Sequence, residues 1–168
     1  MLQLRHLPPE LHALIVMSLP LPDVLRLRLT CRYFYGLIPQ PSHDQLLLAE
    51  STDWARHRGI YTCRYCLRLR PAEQFADRML QRRRSRSGRD SEKRFCIECG
   101  LRPREGTARY GPGAQITTHG RFFVYCLSCH HFQPGARDRL GRNTSECVSC
   151  WQGHNSQPGA PPEDHAMI

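Results

Sequence analysis

Lysine is almost missing from this chain: Lys93 is the only one, so arginine supplies nearly all of the 24 basic residues. Also missing is any apolar run near the roughly 18 to 20 residues that cross a bilayer, which excludes a membrane-spanning helix and leaves no membrane partner. The stretch LHALIVMSLPL has the apolarity of a signal-peptide core. However, it lies between prolines, has a Glu at its head and lacks a small-residue cleavage site. The chain therefore reads as intracellular, nuclear and/or cytoplasmic. No nucleophile–base pair, Gly-rich phosphate loop or carboxylate dyad occurs at motif level, so nothing argues for an enzyme.

What is present is cysteine. Nine cysteines occur in 168 residues, eight of them in four C-x-x-C pairs: Cys63/Cys66, Cys96/Cys99, Cys126/Cys129 and Cys147/Cys150. A reducing compartment disfavours a disulfide framework, and a redox motif needs a βαβ setting that these Arg-, Gly- and Pro-rich surroundings lack. Thiolates at this spacing grip zinc from a single knuckle, and two knuckles complete a closed tetrahedral site. Eight cysteines thus predict two structural zinc ions with no open coordination position. The Cys126–Cys150 spacing suits one four-cysteine site, leaving Cys63, Cys66, Cys96 and Cys99 for the other. An interleaved cross-brace is the alternative pairing. Gly100, directly after Cys99, suits a knuckle position of positive φ. His57, His130, His131 and His154 are read as bystanders, and Cys31, with no cysteine partner nearby, as a small buried hydrophobe.

The pattern predicts a small, irregular α+β protein. Residues 1–40 form a helical module, 41–60 a linker helix, 61–152 a cysteine-rich region of ribbons, knuckles and short strands, and 153–168 a disordered tail. Pro8 and Pro9 open a helix, Pro20 and Pro22 break it, Asp23 lies in the first turn of a second, and Thr30 caps a third. Ser42 and Gln45 have the form of a capping box. One helix is expected from Leu46 to about Arg58, with Leu46, Leu47 and Trp54 in the core and Gly59 as its stop.

The net charge of +9 fits an acidic partner or nucleic acid. Its densest stretch is RRRSRSGRDSEKR, residues 82–94, between the first two knuckles. It reads as a phosphate-binding loop, a nuclear-import signal or a solvated insertion. No aromatic residues interleave the arginines to stack on bases.

The segment LPPELHALIVMSLPLPDVLRLRLTCRYFYGLI, Leu7 to Ile38, resembles the F-box, the helical module that docks onto the Skp adaptor of Skp–cullin–F-box ubiquitin ligases. The whole layout is similar to fungal F-box proteins with cysteine-rich C-terminal regions. This resemblance implies that Leu7, Pro8, Leu11, Ile15, Leu19, Leu25, Leu27 and Phe34 face the adaptor and, through it, the cullin. It implies a non-catalytic substrate receptor whose zinc region holds an unknown protein target. Three short helices cannot bury all their leucines against one another, which agrees. The alternative is a zinc-dependent nucleic-acid-binding protein whose N-terminal helices pack on the zinc module. A RING-like ligase fits less well, because 26 residues divide the second and third pairs. Scarce lysine would also spare a receptor from modification beside the ubiquitin-transfer site.

Overall fold

Proline opens the first two helices, because a missing N–H costs nothing in a first turn. Helix α1 (Pro9–Ser18) follows Pro8, and α2 (Leu21–Arg28) follows Pro20 with Asp23 in its first turn. The computed structural model describes residues 4–103, 106 and 108–155. Helix α3 (Arg32–Leu37) starts from Cys31, not from Thr30. The Thr30 hydroxyl turns back to donate to the Leu27 carbonyl at 2.7 Å, so it closes α2 and does not open α3.

Helix α4 (His43–Glu50) carries the capping box complete: Ser42 accepts from the Gln45 N–H, and the Gln45 side chain accepts from the Ser42 N–H. The single helix expected over 46–58 is two. Ser51 and Thr52 return their hydroxyls to Leu48 and Ala49, and Thr52 then caps α5 (Asp53–His57). Short hydroxyl side chains compete with the helical ladder in this way. Gly59 ends α5 at φ +58°, a left-handed position. Leu46 is buried; Leu47 and Trp54 are half-buried.

Strands β1 (Ile60–Cys63) and β2 (Arg68–Pro71) form an antiparallel hairpin around the first knuckle. Short 3₁₀ turns lead to α6 (Ile97–Leu101), which begins at the second knuckle. Strands β3 (Gln115–Thr118), β4 (Arg121–Tyr125), β5 (Phe132–Arg137) and β6 (Asn143–Cys147) form an antiparallel meander in that order. Helix α7 (Val148–Asn155) follows. Gly153 to Asn155 are its last residues, so the tail drawn from 153 begins inside a helix; residues 156–168 lie outside the described ones.

The main core gathers Phe75, Met79, Phe95, Ile97 and Tyr110 around the first four cysteines, with Ile116 of β3 packed in. The sheet is tied on further by Asp77, whose carboxylate accepts the N–H groups of His119 and Gly120 at 2.8 and 3.2 Å. A second, much smaller cluster holds only Val124, Cys126 and Cys147 fully buried.

Gly100 does not adopt positive φ; it lies inside α6, against Tyr110. A Cβ there would stand 2.4 Å from the Tyr110 ring, which is 1% exposed. Overpacking of this kind costs roughly 1–3 kcal/mol. Gly100→Ala is expected to lower the denaturation midpoint of the metal-loaded protein accordingly, without changing its metal content.

Candidate metal centres and partner face

Each set of four sulfurs converges: the Sγ atoms of Cys63, Cys66, Cys96 and Cys99 lie within 4.8 Å of one another, as do those of Cys126, Cys129, Cys147 and Cys150. All remain thiols, with no disulfide. Pairing is therefore sequential, and the cross-brace is excluded because Cys63 meets Cys96 while Cys126 meets Cys147.

The two centres share one construction. In both, the first knuckle sits at a hairpin turn and the second at the start of a helix. The residue after the first knuckle takes positive φ, Leu67 at 50° and His130 at 55°. These N–H groups donate to Cys63 O and Cys126 O, each at 3.1 Å. Arg64 N–H donates to Arg94 O, and Leu127 N–H to Ser145 O, both at 3.0 Å. Cys96 N–H donates to Cys63 Sγ, and Cys147 N–H to Cys126 Sγ, both at 3.3 Å. The same hydrogen bonds recur at equivalent positions, so these are two copies of one motif.

The electrostatics call for a cation. Hydrogen bonds from Cys66 and Cys96 hold the Cys63 thiol well below its ordinary range, whereas Cys96 is driven well above it by sharing a proton with Cys63. Burial pushes Cys99 up to about 12. At the second centre burial works to raise Cys126, but backbone N–H groups of Cys129 and Cys147 bring it down to about 6. Cys150 is pushed up to about 12 by its hydrogen bond with Cys147. In each cluster one thiol is drawn toward the thiolate while Cys96 and Cys99, or Cys129 and Cys150, are pushed the other way, since like charges this close disfavour one another. A thiophilic ion removes that conflict, and the two clusters are fit to hold two such ions.

The histidines stand outside both clusters. His131 Nδ1 pairs with the Cys129 carbonyl at 2.6 Å, His57 with Asp53 O, and His154 with Glu146. Cys31 is half-buried at the start of α3 and belongs to neither cluster.

Of the residues expected to face a partner, Pro8 and Leu11 are exposed, while Leu7, Ile15, Leu19, Leu25 and Leu27 are half-buried. Phe34 departs from that expectation. It is 3% exposed and packs edge-on against His12 and Tyr33, supporting the face from within. His12, unforeseen as a core residue, is buried and bridges Tyr33 OH and Leu4 O at 2.7 and 2.6 Å. The open apolar surface is formed by Leu11, Leu14, Met17, Leu29, Tyr33 and Tyr35, with Leu14 61% and Met17 82% exposed.

The arginine-rich span is not simply solvated. Arg94 is completely buried and ion-paired with buried Glu50 of α4. Arg86 donates to the carbonyls of Glu50 and Ile60 and lies over the Tyr61 ring. Glu50 also accepts the Thr62 N–H at 2.7 Å. The linker segment is thereby bonded into the module built on the first four cysteines.

Residues 4–44 match the family model described as F-box-like, so the N-terminal segment is an F-box-like domain. F-box domains typically bind the Skp adaptor and thus the cullin complex, and F-box proteins are usually non-catalytic adaptors of ubiquitin ligases. No curated protein and no solved structure matches the chain.

Proposed function

We propose that this protein is a substrate-receptor subunit of a Skp–cullin–F-box ubiquitin ligase, binding the Skp adaptor through α1–α3 and a target protein through its metal-stabilised region. The observation that carries the reading is the uncovered apolar face of the F-box-like domain. Exposed leucines are unremarkable singly, but Leu11, Leu14 and Met17 recur at steps of three along α1 and so lie on one side of it, as in a binding surface. The same face is what the nucleic-acid alternative leaves without a role.

The ion proposed for both centres is zinc. A tetrahedron with Zn–S of about 2.3 Å has S···S edges near ~3.8 Å; Cys129 and Cys147 sulfurs stand 3.9 Å apart. Eight soft donors in two closed sets suit a structural ion. The proposed setting is the nucleus or cytoplasm, where thiols stay reduced; the eight cysteines of the two clusters form no disulfide.

Co-purification with the Skp adaptor tests the reading. Leu11→Asp/Leu14→Asp is expected to abolish capture while leaving thermal stability within about 0.5 kcal/mol, as surface changes do. Leu7→Ala/Pro8→Ala is expected to weaken it. If the wild-type protein itself fails to bind the adaptor, the receptor reading falls.

A further inference from the structure

The two copies of the metal motif differ in what they present to solvent. Between the cysteines of the first knuckle stand Arg64 and Tyr65; at the equivalent positions of the second stand Leu127 and Ser128. Arg64 and Tyr65 form one wall of an open basin of about 630 Å³ whose other cations are Arg78, Arg84, Lys93 and Arg109. Among the described residues no carboxylate lines it, and Met79 and Phe95 complete the lining. An adjoining basin shares Arg78 and Arg84 and adds Arg82, Arg83, Gln81 and one carboxylate, Asp90.

The way these cations are held points to a ligand. Lys93 is paired with Asp90 at 2.7 Å. Among the described residues, none of the four arginines meets a carboxylate. They are positioned by neutral groups instead. The Arg64 guanidinium lies 5.3 Å from the centre of the Tyr65 ring, and Arg78 lies 5.1 Å from that of Tyr110. Arg109 Nε donates to Tyr65 OH at 3.2 Å, and Arg84 donates to the Met79 sulfur. Aromatic faces and neutral acceptors fix a guanidinium without neutralising it. Several arginine forks fixed around one concavity, with their charge uncompensated, match the geometry of a phosphate dianion.

We infer that this basin binds a phosphorylated side chain of the target protein, the first metal centre serving to hold Arg64 and Tyr65 in its wall. The inference rests on the receptor reading for the identity of the partner, but its chemistry stands on the basin alone. A phosphopeptide fits better than nucleic acid. Phe95 and Tyr110 are 7% and 1% exposed, and half-buried Tyr65 already has Arg64 over its ring, so the basin has little aromatic surface on which to stack a base. The cations also converge on one hollow, whereas a backbone-tracking surface lays them along a groove.

The test uses the full-length, metal-loaded protein and fluorescence anisotropy. The probes are a degenerate peptide pool centred on phosphoserine or phosphothreonine, the same pool unphosphorylated, and a mixed-sequence single-stranded oligonucleotide, with inorganic phosphate as competitor. Charge-assisted contacts of this kind support a preference of roughly 10- to 100-fold for the phosphorylated pool. Arg64→Gln/Arg109→Gln is expected to erase that preference with metal content and thermal midpoint unchanged, since both side chains are exposed. Arg64→Lys, which keeps the charge and loses the fork, is expected to lose part of it. Equal binding of the two pools, displacement by inorganic phosphate as readily as by phosphopeptide, or tighter binding of the oligonucleotide lost in the same double variant would each overturn the proposal. Adaptor co-purification separates the two readings. A wild-type protein that prefers phosphopeptide but captures no adaptor refutes the receptor reading and leaves the basin; the converse refutes the basin alone.

Discussion

Stripping the metal from both four-cysteine centres is expected to unfold the region from Ile60 to Asn155, seen as loss of the far-ultraviolet and near-ultraviolet circular dichroism of that region on titration with a chelator. In small zinc domains the ion contributes roughly 10–16 kcal/mol of apparent binding free energy, which becomes folding free energy. Ordinary domains are stable by only about 5–15 kcal/mol. The second module has little to set against that loss: its fully buried apolar cluster is Val124 with two of the ligands themselves. The first has Phe75, Phe95, Ile97 and Tyr110, yet four of its eleven buried core members are cysteines. Because the clusters are separate, Cys147→Ser is expected to release one ion and keep the Cys63 centre loaded, whereas Cys63→Ser should affect both the first module and the β3 edge that packs on it. Metal analysis of the two variants checks this. Acid should act like chelation. Cys99 and Cys150 stand at about 12 without metal, so binding displaces their protons, and affinity falls as pH falls. A metal-free protein that stays folded would refute the argument.

The second large effect is expected at Glu50. Glu50→Ala removes the partner of a guanidinium with no exposed surface, and breaking a buried pair from one side costs roughly 3–5 kcal/mol. Burial pulls Arg94 below its usual range and Glu50 opposes that shift, so the carboxylate is what keeps the buried cation tolerable. Arg86 sits 3.7 Å from the same carboxylate, and without it the two guanidiniums face each other. The Thr62 N–H also loses its acceptor. Denaturant unfolding of the metal-loaded protein should show the drop. Replacing both partners, Glu50→Leu with Arg94→Met, should cost less than Glu50→Ala alone, since no uncompensated charge is left behind. If the double variant is as unstable as the single one, the effect belongs to packing and not to charge.

The two cysteine clusters were legible because the geometry that suits thiolate coordination is written in local spacing: a C-x-x-C knuckle closes within a few residues wherever it occurs. The repeated C-x-x-C-x-x-x-x-P pattern, ending at Pro71 and Pro134, carried the further information that the centres are copies. Helix starts were legible where proline or a capping box sets them, at Pro8 and Ser42, while Pro20 and Pro22, read as a break, stand at the cap and in the first turn of α2. They were misread where hydroxyls chose between two helices, at Thr30 and Ser51–Thr52, because either use of the side chain satisfies the same local chemistry.

Residue types and short-range spacing alone determined that the chain carries four C-x-x-C pairs, eight thiols suited to metal, behind a leucine-rich helical module. The tertiary structure decided which knuckles join, which arginines turn inward and which stay in solvent. Arg94 and Arg64 are indistinguishable as sequence letters. One is neutralised in the core by a glutamate 44 residues away, and the other is held over an aromatic ring at the rim of a basin. That difference is set by long-range partners and burial, which no local pattern encodes.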